Sequence, residues 1–213
     1  PYLAMLAVGD FNITTDHWKD INVDYYLEDD YHQYAKSIFG RTPQMIAHFS
    51  EVLGVDYPWE KYAQIVVRDF VSGAMENTTA VIHGEFVQMT DRELLDNHQD
   101  DIIAHELFHH WFGDLVTCES WANLPLNESF ATYGEYIWRE EGFCRMEADM
   151  HLDNDLEDYL RESETKQVDM IRFDYNDKED MFDRHSYAKG GRILHMLRYY
   201  LGEDAFYNGL KKY

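Results

Sequence analysis

The chain has 213 residues, 45% hydrophobic and 15% aromatic, enough to bury a core and too apolar for a disordered chain. It carries 18 Lys and Arg against 41 Asp and Glu, a formal net charge of −23. That excludes the basic footprint of a nucleic-acid binder and argues against an anionic membrane surface. A field of this sign favours cationic ligands such as a protonated amine, although a solvated acidic face is the simpler explanation.

The first segment, Tyr2 to Phe11, is short and apolar and reads as a strand. Its apolar run, Leu3 to Val8, is too short to span a bilayer, and no signal-peptide pattern opens the chain. Ile21, Val23, Tyr25 and Leu27 alternate with polar residues as in a half-buried strand. Thr42-Pro43 predicts an N-cap with Pro at the first helical position, and Gly54 predicts the end of that helix. Gln64 to Phe70 and Ala80 to Ile82 read as buried strands. From about residue 98 the apolar period is 3.6. Helices are predicted from there to Gly113, from near Asn127 to Gly142, from Cys144 to Leu160, and from Tyr187 to Leu201, with Gly202 as a stop. The acidic stretch after Arg161 reads as a solvated loop. Strands before helices predict α+β, in one domain over 1–213 with a β-rich part at about 1–90 and a helical part at about 91–213. Cys118 and Cys144 are too few for a disulfide framework and are expected as buried free thiols. Starting at Pro1 and stopping at Lys211-Lys212-Tyr213 within a helical pattern, the chain reads as an excised piece of a longer protein.

His105-Glu106-Leu107-Phe108-His109 is an H-E-x-x-H pentapeptide in the first strong helix. Its histidines lie about 6 Å apart along one helix face, where both imidazoles can meet one zinc ion. Glu106 points about 100° away, beside the metal, where a general base for water belongs. Glu128, after eighteen intervening residues, is a candidate third ligand, leaving a fourth position open for water. His110 faces elsewhere and is expected to be structural. Asp101, Glu119 and Glu135 are open as partners for the zinc histidines. Sequons begin at Asn12, Asn77 and Asn127, and the last two fall within the site motifs.

The zinc motif, together with Gly73-Ala74-Met75-Glu76-Asn77 before it, resembles the zinc aminopeptidase family of aminopeptidase N and leukotriene hydrolase. The stretches His109 to Thr117 and Leu126 to Tyr133 match that family's usual continuation, and Ser186 to Gly190 matches the segment that carries its catalytic tyrosine. The resemblance implies a thermolysin-like catalytic domain, a gluzincin metalloprotease with one zinc per chain. It further implies Tyr187 as donor to the oxyanion, Glu76 as the partner of the substrate α-ammonium, and the Gly73–Asn77 loop as the substrate-binding strand. Flanking N- and C-terminal domains in the parent protein, and a peptide with a free N-terminus as substrate, are also implied. Thr78, Asp114, Asn123 and Ser129 stand where many relatives carry Trp, Asn, Asp and Gly. The competing readings are a same-fold endopeptidase or epoxide hydrolase, and a non-catalytic scaffold that has kept the motifs.

Overall fold

The computed structural model describes residues 2–213. Strands β1 (Asn12–Trp18) and β2 (Ile21–Leu27) form an antiparallel hairpin at one edge of a five-stranded sheet. The period-two pattern of β2 places Val23, Tyr25 and Leu27 on the buried face. Helices α1 (Ala35–Phe39) and α2 (Thr42–Leu53) return the chain so that β3 (Lys61–Val67) lies parallel to β2. Two-residue β4 (Ala74–Met75) and β5 (Ala80–Gly84) complete the order β1-β2-β3-β5-β4, with β5 parallel to β3 and β4 antiparallel to β5 at the outer edge.

Five helices follow: α3 (Asp100–Phe108), α4 (Pro125–Gly142), α5 (Arg145–Ser163), α6 (Gly190–Leu201) and α7 (Glu203–Lys212). The result is a mixed α/β fold with its sheet in the N-terminal part and most of its helices afterwards. One apolar cluster joins the two parts, running from Val23, Tyr25 and Tyr62 through Phe39 and Phe49 to Ile103, Leu107, Phe108, Tyr133 and Trp138.

Two devices bring α3 against α4. Gly134 sits mid-helix, where a glycine costs roughly 0.5–1 kcal/mol relative to Ala. A Cβ there would lie 2.6–2.7 Å from the Phe108 side chain, so the close approach requires it. Buried Asp100, at the start of α3, accepts from Arg41 Nη1 (2.8 Å) and from Trp138 Nε1 (2.9 Å), and Arg41 Nη2 also donates to Gly142 O (3.0 Å). These charge-assisted bonds tie α2, α3 and the end of α4 into one frame.

Several boundaries differ from the sequence expectation. Tyr2 to Phe11 is not a strand: its exposure partly alternates, but no ladder partner satisfies its backbone among the described residues, and Leu6 and Val8 face outward. The Thr42 hydroxyl does not cap α2; it accepts from Gln64 Nε2 at 2.8 Å. The third strand spans Lys61–Val67, earlier than expected. Helix α3 ends at Phe108, five residues short of Gly113, because His109 to Val116 folds into tight turns with Gly113 N–H donating to Val116 O (2.9 Å). The stripe on α6 is incompletely covered: Leu194 is buried, whereas Ile193, Leu197 and Tyr200 are exposed. Both cysteines are free thiols, but Cys118 is half-buried and Cys144 exposed. No described helix is long and apolar enough to cross a membrane.

Candidate active site

The last turn of α3 carries His105, with His109 just beyond it as the C-cap; their rings meet edge to face at 4.8 Å. Glu128 lies in the first turn of α4. Its Oε2 is 3.2 Å from His105 Nε2 and 3.4 Å from His109 Nε2. The outer ring nitrogens are engaged: His105 Nδ1–H donates to Glu135 Oε1 (2.7 Å) and His109 Nδ1–H to Phe112 O (3.0 Å). These bonds fix the tautomer that leaves both Nε2 lone pairs facing Glu128.

A tetrahedral ion with ligands at about 2.0–2.1 Å holds those atoms roughly 3.3 Å apart. The separations of 3.2 and 3.4 Å match that spacing, and all three candidate ligands are buried. The donor set therefore fits a first-row divalent ion. Burial alone would lower the imidazole pKa values. The carboxylates of Glu128 and Glu135 at His105, and of Glu76 and Glu128 at His109, outweigh it and raise both. Burial would likewise raise Glu128, but the two imidazoles hold it well below the carboxylate range. A bound divalent ion would take the place of the protons that balance this charge.

Glu106 lies beside the trio. Its Oε2 is buried with no hydrogen-bond partner among the described residues. Burial raises its pKa, with Glu76 and Glu128 adding to the rise against the pull of His105 and His109. Glu76 is buried after β4 and comes within 4.8 Å of Glu106 and His109, ligand atom to ligand atom. Tyr187 stacks on His105 (ring centroids 5.9 Å, 12° between planes), and burial with the carboxylates of Glu128 and Glu106 pushes its phenol up. It stays a proton donor.

These groups line one cavity of about 820 Å³. Gly73, Ala74, Met75 and Glu76 form one wall, with Ile102, Trp121, Leu124 and Phe182 as apolar surface. β4 ends the sheet, and Ala74 O on this edge strand accepts from Ser72 Oγ (3.2 Å). Asn77 does not line the cavity; its side-chain amide donates to Leu3 O (3.1 Å). Asn77 and Asn127 are buried, so neither is placed as a glycosylation acceptor.

Of the three partners left open, Glu135 reaches His105, Asp101 is taken by Arg139 (2.6 Å to each oxygen), and Glu119 is exposed. His110 is buried between Tyr57 and Tyr62, donating from Nδ1 to Glu106 O (3.1 Å) and accepting Thr79 N–H (3.0 Å). Two residues were missed in the sequence. His151 on α5 stands 3.0 Å from Glu135 Oε2, behind the His105 contact, and Tyr2 lines the cavity while its hydroxyl accepts from Asn127 Nδ2 (3.1 Å). Glu135 lies two turns after Glu128, a spacing that could have selected it. Nothing local marks His151 or Tyr2.

The peptidase family M1 domain matches residues 38–213. The chain belongs to peptidase family M1. It is 33% identical over 223 residues to aminopeptidase M1 of Arabidopsis thaliana, covering 100% of this chain and 25% of that protein. It is 34% identical over 230 residues to aminopeptidase N of Lactobacillus helveticus, covering 100% and 26%. It is 33% identical over 222 residues to tricorn protease-interacting factor F2 of Thermoplasma acidophilum, covering 100% and 28%. The chain thus spans about a quarter of the length of these M1 relatives. Family M1 is metal-dependent, and the described residues supply a three-donor group in keeping with that.

Proposed function

We propose that this chain is the catalytic part of a zinc aminopeptidase of thermolysin-like arrangement, removing N-terminal residues from peptides. The observation that supports it most directly is the convergence of a three-donor metal set, a partnerless buried carboxyl at Glu106 and a second carboxylate at Glu76 in one cavity. His105, His109 and Glu128 would hold a zinc ion, which would supply Lewis acidity for the scissile carbonyl and for water. Glu106 accepts the proton of the attacking water and passes it to the departing amine. The Tyr187 hydroxyl donates to the former carbonyl oxygen. Glu76 pairs with the α-ammonium, fixing the cut one residue from the end, while the Gly73–Ala74 edge offers backbone pairing to the peptide. Residues 1–213 act as one domain, and flanking domains of a longer parent complete the cleft.

The test uses the full-length protein with an aminoacyl reporter and its N-acetylated counterpart. Turnover of the free amine alone, abolished by chelation and by Glu106→Gln, is expected. Equal cleavage of the blocked substrate points instead to an endopeptidase, and no turnover across a panel at full metal occupancy points to a scaffold.

A further inference from the structure

Ser129 follows Glu128 directly on α4, and its side chain meets the backbone of Ser186. It is buried, and its Oγ donates to Ser186 O at 2.6 Å. Ser186 lies in a π-type turn, His185–Lys189, in which Lys189 N–H reaches back five residues to Arg184 O (2.9 Å). Tyr187 is the next residue of that turn. Single π turns widen the helical path and re-aim the side chains they carry.

The other side-chain bonds to this turn come from a different direction. Asp183 Oδ1 accepts from His185 N (3.1 Å) and Ser186 N (3.0 Å), Ser186 Oγ donates to Met181 O (2.6 Å), and His185 Nδ1 meets Glu162 Oε2 at 2.9 Å. Asp183 is itself held by Arg172 and Lys166, each at 2.7 Å. All of these run to α5 or to the largely exposed segment before the turn. Among the described residues, Ser129 makes the one side-chain hydrogen bond between the turn's backbone and the helix that bears Glu128.

The packing is fitted to this bond. A Cβ on Gly190 would overlap both Oγ and Cβ of Ser129, and a Cβ on Gly191 would press on Thr132 at 3.2 Å. The Gly190-Gly191 pair lets α6 start directly against α4 at the height of Ser129.

We propose that Ser129 is a positioning residue: its hydroxyl latches the turn carrying Tyr187 to the helix carrying Glu128, setting the phenol relative to the metal ligands. The inference rests on the proposed role of Tyr187.

The experiment compares Ser129→Ala, Tyr187→Phe and the double variant in the metal-loaded full-length protein, reading kcat, KM, metal content and amide hydrogen exchange over 184–190. A displacement of the order of an ångström costs about a hundredfold in rate. Ser129→Ala is accordingly expected to lower kcat about ten- to a hundredfold, with KM and metal content near wild type and faster exchange in the turn. In the Tyr187→Phe background the same change should cost less than about twofold, because the group being positioned is gone. Undiminished loss in that background, or kcat within twofold of wild type in the single variant, overturns the proposal. Should the wild-type protein turn over no aminoacyl substrate, the functional reading fails separately, and unchanged exchange over 184–190 then overturns the latch. If Ser129→Ala does not accumulate, Gly190→Ala and Ser129→Gly/Gly190→Ala replace it. The first should fold poorly; the second should recover folding but, without the Ser129 hydroxyl, keep faster exchange over 184–190 and a lowered kcat, and a folded double variant with wild-type kcat overturns the latch.

Discussion

A phenol stacked on a candidate metal-ligand histidine can be packing or chemistry, and for Tyr187 the surroundings separate the two. Its ring is partly buried, and burial, joined by the carboxylates of Glu128, Glu106 and Glu76, raises its pKa. Tyr187→Phe keeps the ring and removes only the donor. Deleting one oxyanion donor costs about 3–4 kcal/mol in the transition state. Steady-state kinetics should therefore show kcat down by two to three orders of magnitude with KM and thermal stability nearly unchanged. A variant that loses stability at unchanged kcat would make Tyr187 a packing residue. The phenol could be found in the sequence only through its resemblance to the family segment, since sixteen tyrosines share its chemistry. His105, Glu106 and His109 were legible from spacing because a helix converts spacing into direction, whereas Glu128, on the next helix, was a candidate only by its offset from His109. His151 and Tyr2 were not, because each reaches the site from an element whose placement depends on tertiary packing.

At the level of elements, β2 and most of α4 followed from their periodicity, while the ends of β3 and α3 did not. The end of α3 is set by turn bonds between His109 and Val116 that leave no mark on the apolar pattern. The centre of the sheet contains a polar chain that periodicity also hides. His83 on β5 is fully buried and donates from Nε2 to Gln64 Oε1 on β3 (3.1 Å), and Gln64 in turn donates to Thr42 at the start of α2 (2.8 Å). His83 Nδ1 has no partner among the described residues, and burial pushes its pKa down to about 3. The folded state thus resists a proton that the unfolded chain takes up near pH 6.5. Stability from this group is complete above about pH 6.5 and is lost as pH falls toward 3, by on the order of 1 kcal/mol per pH unit. Denaturant melts between pH 7 and 4.5 should show a shallower acid loss for His83→Gln than for wild type. Parallel loss in the two proteins would mean that His83 is not held neutral.

For the whole molecule, the net charge of −23 extends into the cavity, whose lining includes Glu76, Glu106, Glu128, Glu135 and Glu179 against Lys178 and two histidines, with Asp101 there paired to Arg139. Such a field attracts the ammonium end of a peptide, and salt weakens it as the Debye length shrinks from about 10 Å at 0.1 M to about 3 Å at 1 M. In a potassium chloride series, kcat/KM for a free-amine substrate should fall while kcat changes little. A flat profile would leave the acidic surface as a solubility feature alone. The central claim is the three-donor metal set, and metal analysis after exhaustive dialysis tests it most directly. The full-length protein and its Glu106→Gln variant should each retain about one zinc per chain, and His109→Ala should retain almost none, since two donors hold zinc poorly. Full zinc occupancy in His109→Ala would contradict the assignment.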